Sequence, residues 1–449
     1  MKKLSLSTTH IILMSFLITI LIGSLLLMLP ISTANGVKVN YIDALFTATT
    51  SVCVTGLVTV PTFSTWSMFG QIAILVLIQV GGLGVIAFMT SFMMIINKKL
   101  KIKDYQLIQD AFSLNNLSGI KKFIKSVFIG SLIIELLGAI SYMFVFIPEF
   151  GLKGIWISIF NSVSAFCNAG IDVIGDVSLC NYVNNSLVNI TTSLLIILGG
   201  LGFIVWWDIL RVIRQYKCKR IKCFKSLTLH SKIVLSSTFT LIFGGALLIL
   251  LFEYNNVTTI GNFSFIHKIE ASLFQSITTR TAGFATIPQE NLTDQTVIIC
   301  LILMFIGGSP VGTAGGIKTI TIVSLLAVAI SSIKNKKEVE LFDRNLPIEI
   351  TRKAVAIVLM SLTIVIISTL SLTLTIDRDL TNIIYETVSA TATVGLSRNL
   401  TPFLNNIGKI IIIITMYFGR VGPISLAIAF KSNKESSNII INPTEEVSI

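Results

Sequence analysis

Eight stretches of this chain, at about 11–30, 69–97, 123–147, 188–210, 231–252, 295–330, 353–375 and 407–430, carry almost no charge. Each reaches the roughly 20 residues that a helix needs to cross a bilayer core. Lipid offers the backbone no hydrogen-bond partner, so only helices or a closed barrel can span it. Runs of this length predict helices. Composition agrees: 12% of the 449 residues are charged, where a soluble domain carries about 25%. Disorder and a secreted disulfide scaffold are both excluded. The first stretch follows Lys2 and Lys3 like a signal peptide, but its apolar run is too long and reads as a retained span.

The connections between these stretches differ in charge. The N-terminus, residues 98–125, 211–232 and 334–353 and the C-terminus hold 25 of the 34 Lys and Arg. The alternate connections, 31–68, 148–187, 253–294 and 376–409, hold seven basic residues against eleven acidic ones. By the positive-inside bias, eight spans place both termini in the cytoplasm of a cell-membrane protein. The net charge of +12 lacks the aromatic interleaving that would stack bases. It therefore suits anionic lipid headgroups rather than nucleic acid. The six cysteines are scattered. Cys218 and Cys223 lie in a basic run with no His or acidic residue beside them, so they read as unpaired thiols rather than a zinc site.

Each outward connection also holds a semi-apolar segment too short to span, closed by a glycine: 41–57, 155–171, 269–284 and 382–396. The glycines are Gly56, Gly170, Gly283 and Gly395, at intervals of 114, 113 and 112 residues. An aromatic residue precedes them by ten positions (Phe46, Phe160, Tyr385) or nine (Phe274). A second small-residue signal follows each: QVGGLG at 79–84, LGGLG at 198–202, IGGSPVG at 306–312 and FGRVG at 418–422. Such self-similarity predicts one unit used four times: span, half-span, loop, span. The units are 1–97, 98–213, 214–333 and 334–430, with a cytoplasmic tail at 431–449. The fold class is thus an all-α polytopic membrane protein, with four units around a pseudo-fourfold pore.

A half-span that returns as extended backbone is tolerated in a membrane only inside protein or along a watery path. Four copies around one axis can turn their carbonyl oxygens inward, where a dehydrated cation supplies the missing partner. The expected filter segments are Val54-Thr55-Gly56, Asn168-Ala169-Gly170, Thr281-Ala282-Gly283 and Thr393-Val394-Gly395. None places a carboxylate in the ring, which argues against a divalent-cation filter. Glycine closes each segment because close approach or positive φ requires it.

These strings carry a resemblance. LLLMLPIS at 25–32, IDALFTA at 42–48, VTGL at 54–57, IQVGGLG at 78–84, FNSVSAFCNAG at 160–170, FQSITTRTAGF at 274–284, GGSPVGTAGGIKT at 307–319 and FGRVGP at 418–423 resemble the Ktr/Trk/HKT superfamily of potassium transporters. The bacterial Ktr membrane subunits are the most similar branch. The resemblance implies a K⁺ path through four non-identical filter loops, a homodimer, and a cytoplasmic ring of nucleotide-binding (RCK/KTN-type) regulatory chains. Glycine in all four filters implies K⁺ selectivity over a Na⁺-permeable variant. Na⁺ as an activator or symported ion stays open. Cys53, before the first filter, and Arg398, beyond the fourth, depart from the pattern.

Within the sixth stretch, Gly307, Gly308, Ser309, Pro310, Gly312, Thr313, Gly315 and Gly316 make a continuous helix improbable. Their length and the resemblance imply an irregular loop, 306–317, that obstructs the cavity below the filter and moves to open it. Lys318 closes the loop and would anchor it to carbonyls or lipid phosphate. Arg420 lies inside the eighth stretch, where a charge is costly and usually marks function. The resemblance places it beneath the filter. Glu135 reads as structurally paired and Asp208 as interfacial. No paired carboxylate site, HExxH, P-loop or GxSxG occurs, and His10, His230 and His267 are isolated, so no enzyme is expected and no cofactor other than the transported ion. A secondary transporter working by alternating access would carry inverted repeats, whereas these units share one orientation. The ion-translocating subunit of a P-type ATPase complex would need further spans beyond the four units.

Overall fold

The computed structural model describes residues 8–34, 36–95, 119–216, 221–336 and 338–422. The tail at 431–449 and the side chains of Cys218 and Cys223 lie outside the described residues, so the thiol reading there is untested. Seventeen helices are described. Most fall into one order that recurs four times.

A long helix comes first: α1 (Thr8–Leu27), α6 (Ile120–Phe150), α11 (Leu229–Glu253) and α15 (Ile348–Thr373). A short helix follows: α2 (Tyr41–Val52), α7 (Lys153–Cys167), α12 (Phe265–Thr278) and α16 (Leu380–Ala392). An extended segment then leads into a second helix: α4 (Met68–Leu83), α8 (Ser186–Gly200), α13 (Asp294–Phe305) and α17 (Asn406–Val421). Three of the four second helices continue beyond a break, as α5 (Val85–Ile95), α9 (Phe203–Tyr216) and α14 (Thr319–Ile333). The remaining helices are the short α3 (Thr62–Thr65) and α10 (Ile221–Ser226).

Each second helix starts at a side-chain cap. Ser67, Asn185, Thr293 and Asn405 accept from the backbone N–H of Gly70, Val188, Thr296 and Gly408. Such caps satisfy donors that a helix start otherwise leaves unpaired.

The stretches at 69–97 and 188–210, expected as spans, are each a bent pair of helices. The chain turns through 102° between α4 and α5 and through 93° between α8 and α9. Both turns occur at a glycine of positive φ, Gly84 and Gly202, each at +88°, a conformation costly for any residue with a Cβ. The stretch at 295–330 likewise divides into α13 and α14. Among the described residues four helices are long and apolar enough to cross a membrane unbroken, and six if each bent pair is one span.

Burial is arranged for an apolar solvent. Leu25, Leu136, Phe144, Leu251, Ile366 and Leu370 on the long helices are exposed, while the hydroxyls of the short helices, such as Thr50, Ser162, Ser276 and Thr387, are buried. Polar ties join successive groups of helices. The Gln79 amide donates to the Glu135 carboxylate at 3.0 Å, and the Ser186 hydroxyl to Glu270 at 2.8 Å. The Tyr385 hydroxyl donates to Gln289 Oε1 at 3.0 Å, and Lys409 Nζ pairs with Asp43 at 2.6 Å. The last tie joins the fourth group back to the first, so the arrangement closes. Asp208 accepts from the backbone and hydroxyl of Thr228 and pairs with Arg211 at 2.6 Å. One antiparallel hairpin, β1 (Glu340–Leu341) and β2 (Arg344–Asn345), lies in the basic connection before α15.

Candidate functional site

The four short helices end in the same way. A hydroxyl in or near the last turn binds the segment that follows. Thr50 Oγ1 accepts from Gly56 N at 2.9 Å, and Ser389 Oγ from Gly395 N at 3.0 Å. Ser164 Oγ accepts from Ile171 N at 3.1 Å and donates to Ile171 O, while Thr278 Oγ1 donates to Phe284 O at 2.6 Å. These hydroxyls stand six, six, six and, in the third segment, five residues before the glycine. The one-residue offset matches that of Phe274. This second register signal was present in the sequence and went unread.

Past the helix ends the backbone alternates in handedness. Val54, Asn168, Thr281 and Thr393 have φ of 55°, 60°, 68° and 51°. Two residues on, Gly56, Gly170, Gly283 and Gly395 have φ of 96°, 65°, 81° and 96°. For β-branched Val and Thr the left-handed region is a true outlier, costing about 1–2 kcal/mol each. Three β-branched residues held there at one register form the kind of strain that clusters at functional sites. Alternating left- and right-handed residues turn successive carbonyls to the same side of a segment.

The four segments then meet. A Cβ on Gly56 would stand 2.5 Å from Ala169 O, one on Gly170 2.6 Å from Ala282 O, one on Gly283 2.6 Å from Val394 O, and one on Gly395 2.2 Å from Thr55 O. Each glycine thus faces the carbonyl before the next glycine, in cyclic order. The structure brings the four glycines and the residues before them, Thr55, Ala169, Ala282 and Val394, into one ring. Around it, Thr55 Oγ1, Thr281 Oγ1, Thr393 Oγ1 and Asn168 Nδ2 are buried without a protein partner among the described residues.

On one side the ring opens into a cavity of about 600 Å³, lined by the four glycines together with Asp172, Asp176 and Glu290 and by no basic residue. Burial pushes the Asp172 carboxyl up to about 6, partly offset by hydrogen bonds from Ile174, Ser178 and Gly175. Arg398, which departs from the resembled pattern, is not part of this lining. It donates to Asn382 Oδ1 at 2.9 Å and to Glu290 O at 3.0 Å.

On the other side lies the 306–318 loop. Its neck is closed by Gly308 N donating to Gly315 O at 3.3 Å, and by an Ile306–Ile317 bridge. Gly315 lies so near the fourth segment that a Cβ there would overlap Thr393 Oγ1. Thr313 Oγ1 donates to Phe166 O at 3.0 Å. Cations hold the loop's carbonyls. Lys318 Nζ reaches Ala314 O at 2.6 Å, and Arg420 donates to Thr313 O at 2.7 Å and to Gly81 O and Gly82 O of α4. The small-residue signals of the other three groups admit the short helices. A Cβ on Gly81, Gly199 or Gly419 would stand 2.0, 2.0 or 2.1 Å from Val52 O, Phe166 O or Thr391 O.

Several polar residues near the ring have roles that the motifs did not announce. Gln275 and Gln289 exchange amide hydrogen bonds at 2.7 and 3.1 Å. Glu386, buried behind the fourth segment, accepts from Ser397 at 2.7 Å and from Thr401. Glu253 accepts from Thr293 and Thr259 and so fixes the third outer connection. Single polar residues on apolar helices gave no spacing to read.

Comparison with known proteins matches residues 3–440 to the family model TrkH, cation transport protein. The chain is 38% identical to the Ktr system potassium uptake protein B of Bacillus subtilis, over 95% of this chain and 94% of that protein. It is 40% identical to the potassium/sodium uptake protein NtpJ of Enterococcus hirae, over 96% and 95%. The crystal structure of the potassium transporter TrkH from Vibrio parahaemolyticus shares the fold, with a TM-score of 0.75 at 17% identity over 96% of this chain and 86% of that one.

Proposed function

The chain belongs to the TrkH family of cation transport proteins, and from that premise we propose that it takes up potassium across the cell membrane through the ring of four glycine-closed segments. The observation that carries the reading is the cyclic contact of Gly56, Gly170, Gly283 and Gly395 with their neighbours' carbonyls. A cation entering such a ring exchanges its hydration shell for backbone oxygens. Four short helices aim their C-terminal ends, with their partial negative charge, towards it. The acidic outer cavity concentrates cations at the entrance. Eight crossings around this axis, with bent and interrupted helices among them, and cytoplasmic termini complete the proposed topology.

The loop at 306–318 is the proposed gate. It lies against the inner side of the ring, contains Pro310 and five glycines, and is held by hydrogen bonds rather than by packing of large side chains. Two copies of the chain and a cytoplasmic ring of nucleotide-binding RCK/KTN-type chains form the proposed assembly, supported by the family likeness and the basic inner connections. The name of the Enterococcus hirae relative, a potassium/sodium uptake protein, supports testing Na⁺ as a coupled or activating ion. The deciding experiment is rescue of a K⁺-uptake-deficient bacterium at low K⁺, with Na⁺ varied and with and without a regulatory chain. Growth only at high K⁺ in every arm would refute the reading.

A further inference from the structure

We propose that Arg280 is a positioning residue that latches the loop shut from the filter side, an inference that rests on the gate proposed above. Arg280 lies two residues past the end of α12 and directly before Thr281, the first residue of the third segment. Its side chain is 7% exposed. One guanidinium nitrogen donates to Gly307 O at 3.3 Å. The Nε has no protein partner among the described residues, and no described carboxylate forms an ion pair with it. A charge at membrane depth is expensive and usually functional. Among the described residues its side chain has one hydrogen-bond partner, the Gly307 carbonyl of the loop.

The point of contact matters. Gly307 is the neck of the loop, where a Cβ would stand 2.3 Å from Gly315 O, so the two strands of the neck touch there. Arg420 holds the loop at Thr313, nearer its far end. Arg280 holds the neck, and is covalently next to the filter. Filter and gate are thereby joined through one side chain, and a shift of Thr281 pulls directly on Gly307.

The contact is also breakable. Arg280, Gly308, Gly200 and Thr238 border a cavity of about 10 Å³, in which Thr238 Oγ1 is likewise unpartnered among the described residues. That is space for about one water. The guanidinium can exchange the Gly307 carbonyl for water and the Thr238 hydroxyl without displacing a neighbouring helix. A permanent structural tie would be packed on all sides.

The test uses the full chain in vesicles of phosphatidylethanolamine and phosphatidylglycerol, with K⁺ flux measured per inserted protein. Arg280→Met keeps the stem and removes the donors, and Arg280→Lys keeps the charge. Each is made alone and in a chain lacking residues 309–314. Removing a hydrogen bond from a charged donor should raise flux about tenfold in Arg280→Met, and less in Arg280→Lys. Neither should alter flux once the loop is gone. Unchanged or lower flux at normal insertion overturns the latch, as does an equal change without the loop, which would place the effect in the filter alone. If Arg280→Met fails to insert, Arg280→Lys decides: flux at or below the unsubstituted level overturns the proposal. A loop deletion that leaves flux unaltered sinks the gate itself, and the latch with it.

Discussion

A methyl group on Gly395 would stand 2.2 Å from the Thr55 carbonyl oxygen, and one on Gly56 2.5 Å from that of Ala169. Both glycines also have φ of 96°, so any side chain adds backbone strain to a collision. Gly56→Ser should therefore insert but widen the ring, and its K⁺ over Na⁺ preference should fall at least tenfold in paired flux measurements. An unaltered ratio would remove Gly56 from the filter. At the outer mouth, Asp172 is pushed up to about 6, so it is charged at neutral pH and protonates as the pH falls through that value. Losing one negative charge roughly 6 Å from an entering cation costs about 0.7 kcal/mol in water. Influx should drop about threefold between external pH 7.5 and 5. Asp172→Asn should show the lower influx at both, flattening the profile.

Among the elements, the 306–318 loop is distinctive because α13 stops at Phe305 before its glycine pair, whereas the other second helices include Gly81-Gly82, Gly199-Gly200 and Gly419. Three backbone carbonyls of the loop, at Thr313, Ala314 and Gly315, are engaged by Arg420 and Lys318. Deleting residues 309–314 should raise K⁺ flux per inserted protein and loosen its dependence on a regulatory partner. Arg420→Gln should act in the same direction by about tenfold. A loop that only packs helices together would instead lower insertion, and a fall in flux at normal insertion would refute the gate. The interruption was legible because Pro and Gly break helices by their own chemistry. The bends at Gly84 and Gly202 were not, because a Gly-Gly-x-Gly string is equally compatible with a straight, closely packed helix. At the second bend the loop comes close, with a Cβ on Gly202 standing 2.4 Å from Pro310 O.

For the whole molecule, the sequence concentrates basic residues in alternate connections, and the cavity beside the four glycines is lined by acidic residues and no basic one. Neutralising Arg211, Arg214, Lys217, Lys219, Arg220, Lys222 and Lys225 should weaken co-purification of a cytoplasmic ring while leaving insertion intact, since insertion depends on the apolar helices. High salt should mimic the substitution, because exposed charges are screened within about 10 Å at 0.1 M ionic strength. Normal stoichiometry after neutralisation would show that the ring docks elsewhere.

The helical class, the recurrence of one helix order and the four glycines that meet followed from sequence alone. Lipid leaves the backbone few options, and a period near 113 residues repeats the same local chemistry in every copy. Which carbonyl each glycine faces, how Lys409 meets Asp43 across 366 positions, and that Arg280 reaches Gly307 were decided only by tertiary structure. The first two kinds of contact join different copies, and a repeat specifies each copy's own shape but not the angle at which its neighbours dock; the third joins two loops far apart within one copy. Of the departures from the repeat, Arg420 acquires its partners Thr313, Gly81 and Gly82 only from other copies, whereas Arg280 and Glu386 find theirs within their own.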